Sequence, residues 1–291
     1  MSLSQEAAQA GLGSVWISQQ LDHDALSVAA VIGQAVPDIG IGTSVVPIYP
    51  RHPLVVFSQA QTAQAAGHGR FTLGLGLGAA RLVEGAFGVS FDRPIRHLRE
   101  YLAVLESLFS TGTADFTGET LSASTPLPAA LAGAQPRVPV LVAAMGPQAL
   151  RVTGELADGT LPYLAGPRTL ASFIGPTITE AAKAAGRPAP RIVVALTGVV
   201  TADVEAVRAA VTQQMAFYGS VPSYRAVLDR EGASHPAELA VIGDEETLAA
   251  AIDRYFEAGA TEIVVTNTGI NGAPDRRRTW KFLGEYAAAR Y

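Results

Sequence analysis

The chain has 291 residues, 48% hydrophobic and 16% charged, the balance of a well-buried globular protein rather than a disordered one. A net charge of −5 argues against nucleic-acid or anionic-membrane partners, which need a surplus of Lys and Arg on one surface. The absence of cysteine excludes disulfides, thiolate metal sites and a Cys nucleophile. No apolar run reaches the ~18 residues of a membrane span. The opening Met1-Ser2-Leu3-Ser4-Gln5-Glu6 lacks the basic and apolar regions of a signal peptide, so the expected location is the cytoplasm.

In chain order, the pattern predicts a helix over 4–10, strand 14–19, helix 24–35, strand 39–47, helix 54–66, strand 70–78 and helix 93–109. A Pro- and Ala-rich excursion over 121–137 precedes strand 138–145, helix 147–157, strand 159–164, helix 168–186 and strand 191–200. Helices 203–218 and 245–258, strand 261–269 and helix 276–289 complete the series, with Gly186, Gly219 and Gly259 placed as helix stops. Short β-rich segments alternating with helices predict a parallel sheet, and the length suits one domain over 1–291. Seven strands are visible, one fewer than a closed (β/α)8 TIM barrel requires. The expected first β-strand is missing at the N-terminus, which would leave strands 14–19 and 261–269 without partners.

Two strand ends expose backbone. Ile41-Gly42-Thr43-Ser44-Val45-Val46-Pro47 packs β-branched residues between Gly and Pro, and Arg70-Phe71-Thr72-Leu73-Gly74-Leu75-Gly76-Leu77-Gly78 drops every second side chain. Two such ends in one sheet suggest a planar ligand lying against main chain. The alternatives are an ordinary buried strand and glycines that relieve crowding inside the barrel. The glycine spacing is not G-x-G-x-x-G, and no acidic residue closes a second strand about 20 residues on, which argues against a dinucleotide fold. Ala143-Ala144-Met145-Gly146-Pro147 ends a strand and opens a helix, as either a phosphate-holding helix start or a plain turn. The histidines His23, His52, His68, His97 and His235 stand singly, so no metal site is expected. Asp24 reads as a helix N-cap in preference to part of an Asp22-His23-Asp24 site. His52 faces either cofactor and substrate or a loop hydrogen bond. Arg276-Arg277-Arg278 reads as a solvated first helical turn.

Taken in order, Gly42 to Pro47, Arg51-His52-Pro53, Gly69 to Gly76, Phe87-Gly88, Arg99-Glu100-Tyr101-Leu102, Ala143 to Pro147, Gly154 to Gly159 and Ala185-Gly186-Arg187 resemble the luciferase-like barrel proteins, in their coenzyme F420-dependent oxidoreductase branch. The resemblance implies hydride transfer between F420 and a small organic substrate or, as the alternative, an FMN-dependent luciferase-like monooxygenase that reacts with oxygen. It implies a non-prolyl cis peptide at Ser44–Val45 and a cofactor held by Ser44, Val45, Gly76, Leu77, Gly78, Ala143, Ala144, Met145, Gly146 and Pro147. Gln19, Gln20, His52 and Arg81 are the expected catalytic or substrate-facing polar groups. Two departures point to a third reading, a cofactor-binding paralogue without catalysis. Ala79-Ala80 stands where relatives offer a polar side chain, and Gln19-Gln20 stands where some carry an Asp-His pair and cannot act as a general base. A homodimer covering the open strand edge is the expected assembly.

Overall fold

The computed structural model describes residues 2–290. Helix α1 (Ser2–Gln9) leads into β1 (Ser14–Ile17), α2 (Ala25–Ala35), β2 (Gly40–Thr43), α3 (Pro53–Ala66) and β3 (Phe71–Gly76). Then follow α4 (Ala80–Phe87), α5 (Pro94–Thr111), β4 (Val140–Val142), α6 (Pro147–Leu156), β5 (Gly159–Thr160) and α7 (Gly175–Ala184). The chain ends with β6 (Arg191–Val200), α8 (Val204–Met215), α9 (Pro222–Glu231), α10 (Glu245–Glu257), β7 (Glu262–Thr266) and α11 (Ala273–Ala288).

β1 to β7 lie side by side in chain order, every neighbouring pair parallel, with helices on the outside. This is a nearly closed α/β barrel. Two short strands complete its nine-stranded sheet: Val46–Pro47 on β3 and Val241–Gly243 on the far end of β6. The seven wall strands coincide with those expected from sequence, and so does the gap. Among the described residues β1 pairs only with β2 and β7 only with β6, so both keep an open edge.

Side-chain alternation sorts the wall into two faces. Ile41, Phe71, Leu73, Leu75, Val140, Val142, Val194 and Leu196 belong to the large core between wall and helices. Leu141, Leu161 and Val193 form a separate cluster, packed with Trp16, Val45, Ala143 and Val264, that fills the barrel interior. The interior is tight enough to dictate glycines. A Cβ on Gly42 would overlap the Trp16 ring, and one on Gly74 would overlap the Thr43 carbonyl and approach Leu161 Cδ1 to 2.7 Å.

The excursion over 121–137 opens with the second strand of a two-stranded antiparallel hairpin, Asp115–Thr117 with Ser122–Ser124, outside the barrel. Buried amides on α3 hold it down: Gln61 donates to Ala129 O and accepts from Leu131 N, while Gln64 donates to Pro136 O. The buried Glu100 carboxylate on α5 accepts from the N–H groups of Glu119, Thr120 and Leu121 and so fixes the hairpin turn.

Several boundaries depart from expectation. Helix α8 stops at Met215 and continues as a 3-10 turn over Ala216–Ser220, so Gly219 lies within that turn and is no helix stop. Gly186 and Gly259 do terminate helices, with φ of 68° and 101°. The last helix begins at Ala273, which puts the arginine triplet in its interior, where it is paired: Arg276 and Arg277 with Glu6, Arg278 with Glu245. Helices α4 and α9 are additions that the sequence pattern did not reveal. Among the described residues no helix is long and apolar enough to cross a membrane.

Candidate functional site at the barrel mouth

At the C-terminal ends of β2 and β3 the ladder carries a bulge. Gly42 pairs with Thr72, yet Val46 pairs with Leu75, so β2 and its continuation hold one residue more than β3 across this interval. Thr43 makes the break possible by substituting its side chain for main chain: its Oγ1 donates to Gly74 O and accepts from Gly74 N, each at 2.9 Å. The extra residue is accommodated at Ser44–Val45, whose peptide is cis. Ser44 is tied back by its N–H to Ile17 O (2.8 Å) and by the Ser18 hydroxyl, which donates to Ser44 O (2.9 Å).

Val45 then lies over Gly76, where a Cβ would sit 2.6 Å from Val45 Cγ2. The bare backbone at Gly76 therefore serves first to admit the bulge. Beyond it, Gly78 (φ 78°) turns the chain into α4. The next strand brings Ala143 into the same interior cluster as Val45. Helix α6 starts immediately afterwards at Pro147, with Gly146 as N-cap, no side-chain cap, and nothing within 4 Å of a Cβ built on Gly146. That helix start offers uncapped N–H groups and open space.

The structure unites Ser44, Val45, Gly76 and Ala143 on adjacent strand ends. Leu77, Ala144 and Met145 instead direct their side chains to the outer core, leaving only main chain to the mouth. The polar candidates are dispersed. Gln19 Oε1 accepts from Ala25 N and Arg51 Nη2, and its Nε2 donates to Gln20 O and His23 O, so both ends of its amide brace the loop before α2. Gln20 is exposed. Asp24 caps α2 through Ser27 N and pairs with Arg51 at 2.6 Å. Burial works to raise the Asp24 carboxyl, but the bonds from Ser27 and the Arg51 charge outweigh it and hold it below its ordinary value. His52 caps α3, its Nδ1 accepting from Leu54 N and its Nε2 bonded to Ser122 O. Arg81 is exposed on α4.

A group that sequence reasoning missed stands on β6 and on the segments that directly follow β5 and β7. The half-buried Tyr163 hydroxyl lies 3.4 Å from Thr197 Oγ1, which also accepts from Asn267 Nδ2 at 3.2 Å. Tyr163 packs edge-on against Tyr218 and Tyr224. Burial pushes the Tyr163 phenol up, so it stays protonated at neutral pH and able to donate a hydrogen bond. The available signal was alternation: Tyr163 and Thr197 occupy inward-facing positions of otherwise apolar strands. Among the described residues no three His, Asp or Glu side chains gather as a metal site.

Compared with known proteins, the chain matches the luciferase-like monooxygenase family over residues 1–262. It is 29% identical over 279 residues to an uncharacterized protein of Mycobacterium tuberculosis, covering 90% of this chain and 82% of that one. It is 28% identical over 239 residues to a 5,10-methylenetetrahydromethanopterin reductase of Methanolobus tindarius, covering 81% and 72%. Among solved structures, the coenzyme F420-dependent tetrahydromethanopterin reductase of Methanopyrus kandleri superposes with a TM-score of 0.82 at 21% identity, over 100% of this chain and 94% of its own. The FMN-bound oxygenating constituent of 3,6-diketocamphane monooxygenase from Pseudomonas putida superposes with a TM-score of 0.78 at 16% identity, over 99% and 91%. With the family matched across most of its length and the fold shared by these structures, the chain belongs to the luciferase-like monooxygenase family.

Proposed function

We propose that the protein is a deazaflavin-dependent oxidoreductase that passes hydride between coenzyme F420 and a small organic substrate at the barrel mouth. The observation that carries this reading is the one-residue bulge at Ser44–Val45, which sets an apolar side chain over Gly76 and gives a planar ring a raised surface at the ends of adjacent strands. The residues fit such a group: the platform is apolar, and the uncapped start of α6 beside the open space at Gly146 suits an anionic tail. Bound there, the deazaflavin would supply the hydride chemistry.

The chain's own residues bind and orient. Ser18 fixes the bulge through Ser44 O. Gly146, Gln148 and Ala149 present main-chain N–H groups to the cofactor tail. Tyr163, held by Thr197 on the opposite wall, donates a hydrogen bond to a substrate oxygen and steadies the charge that develops there. Gln19 and His52, whose polar atoms are engaged in loop and cap bonds, act as supports of the mouth. A relative and solved structures whose names state coenzyme F420 dependence favour the deazaflavin over FMN.

The test is a fluorescence titration of the purified protein with F420 and with FMN. Tighter binding of F420 is expected. Equal or tighter FMN binding would transfer the assignment to a monooxygenase, and binding of neither would remove the cofactor reading.

A further inference from the structure

Resting on the function proposed above, we infer that Asn267, Thr197 and Tyr163 form a polarised triad, in which Asn267 and Thr197 are positioning residues and Tyr163 is the acid that protonates the oxygen of a substrate carbonyl. The three polar groups make one chain across the mouth: Asn267 Nδ2 donates to Thr197 Oγ1 at 3.2 Å, and Thr197 Oγ1 lies 3.4 Å from the Tyr163 hydroxyl. The facing side of the mouth offers no equivalent. There the chain runs through Gly76, Gly78, Ala79 and Ala80, and the Gln19 amide is bonded at both ends.

The backbone is bent to bring the triad together. Asn267 follows Thr266 and in a continued strand would face the helices, but its left-handed φ of 59° turns the amide back to Thr197. Leu164, next to Tyr163, has a φ of 58°, a costly conformation for leucine. Burial in a satellite cluster with Val199, Val207 and Val211 holds it there. Left-handed residues other than glycine thus stand on both segments that bring polar groups to Thr197, a geometry that survives only where the surroundings enforce it.

Polarity follows from donor chemistry. An amide nitrogen can only donate, so Asn267 occupies a lone pair of Thr197 and leaves the Thr197 proton to be given away. Two acceptors stand at 3.4 Å, Tyr163 Oη and Thr266 Oγ1, and Thr266 in turn donates to Leu196 O. Once Tyr163 gives up its proton, its anionic oxygen is the stronger acceptor and takes the Thr197 hydrogen bond. Thr197 and Asn267 therefore oppose the burial that raises the phenol, while Tyr218, packed edge-on against Tyr163 as Tyr224 is, acts with burial. In the reaction the carbonyl carbon takes the hydride of the reduced deazaflavin with its electron pair, forming the new C–H bond. The carbonyl π pair moves to oxygen, which takes the Tyr163 proton. The phenol O–H pair stays on the tyrosinate until a solvent proton restores it.

The experiment labels the full chain with 3-fluorotyrosine and follows fluorine NMR against pH without cofactor. Among the eight tyrosines, residue 163 is the signal lost in Tyr163→Phe. Thr197→Val should raise its titration midpoint by about one pH unit, and Thr197→Ser should restore it. Asn267→Gly, which suits the left-handed backbone, should raise it by less. Asn267→Asp, whose carboxylate accepts the Thr197 proton, should raise it most. A fall or no change in Thr197→Val would show that Tyr163 donates to Thr197 instead, and would overturn the triad. With reduced F420 and a series of small ketones, Tyr163→Phe should lower kcat at least ~10²-fold with KM nearly unchanged, and Thr197→Val about tenfold, with Thr197→Ser restoring it. An unchanged kcat in Tyr163→Phe, or F420 binding with no ketone reduced by the unsubstituted protein, would overturn the acid role. Failure to bind F420 would overturn the proposed function and the acid role with it, while the titration, which needs no cofactor, still decides the polarity of the triad.

Discussion

β3 and β7 are parallel strands of one barrel with opposite fates. β3 reads Phe-Thr-Leu-Gly-Leu-Gly and is buried at every position, whereas β7 reads Glu-Ile-Val-Val-Thr and is half-exposed along its whole length. By composition β7, with three consecutive β-branched aliphatic residues, is the better candidate for deep burial. What separates them is pairing. β3 has β2 on one edge and β4 on the other, with helices behind, while β7 has β6 alone. Burial of a barrel strand is thus a property of its neighbours, and the closed wall and the open seam should answer mutation differently.

The largest difference is expected at glycine positions. Gly74→Val drives a side chain into the Thr43 carbonyl and Leu161, both held within the closed wall, and should abolish soluble expression or the native circular dichroism. A well-folded Gly74→Val protein would mean that the wall yields as the seam does. Next, Gly76→Val at the wall's upper end should displace Val45 and abolish F420 binding while leaving the circular dichroism intact, since only the bulge has to move. Unchanged titration curves would refute the platform at that position.

Truncations sharpen the contrast. Leu75→Ala in β3 should cost about 2–5 kcal/mol in denaturant unfolding, against about 1 kcal/mol or less for Val265→Ala in β7. Equal losses would show that the seam is covered in solution. A smaller effect concerns pH. Hydrogen bonds from Arg276 and then Arg277 lower the Glu6 carboxyl below its ordinary value of 4.5. Because the folded-state value is the depressed one, the contribution of Glu6 is fully present above about pH 4.5 and is lost as pH falls through the lowered value. The seam should therefore loosen on acidification, with ANS binding rising below that point, and Glu6→Gln should show the rise already at neutral pH. Smallest of all, Gly13→Ala beside β1 meets nothing within 4 Å and should leave Tm within error.

Much of the wall was legible because each strand is a short apolar run bounded by turn residues, as in Arg191 to Val200 or Val138 to Met145. Helix α9 was not, since Pro-Ser-Tyr-Arg-Ala-Val-Leu-Asp-Arg-Glu carries little apolar periodicity. Nor was the hairpin around Asp115–Ser124, whose three-residue strands are stabilised from outside by Glu100. At the mouth, Ser44, Val45 and Gly76 were visible through resemblance to a family, but a packing reason for Gly76 was not. Its missing side chain admits Val45, a neighbour that only the bulged register brings there. Gln19 looked free, and the loop hydrogen bond of His52 was one of two open readings, because their partners, Arg51, Ala25 and Ser122, are set by loop and cap geometry.

Sequence by itself determined the alternating β/α order, the count of seven wall strands and the resulting vacancy, because period, turn chemistry and chain order are local or topological properties. Tertiary structure alone decided which glycines are obligatory, which polar groups are already engaged, and that Tyr163, Thr197 and Asn267 meet. Those three come from β6 and from the segments just after β5 and β7, and their meeting depends on register and barrel curvature, which pairwise packing sets and local sequence does not encode.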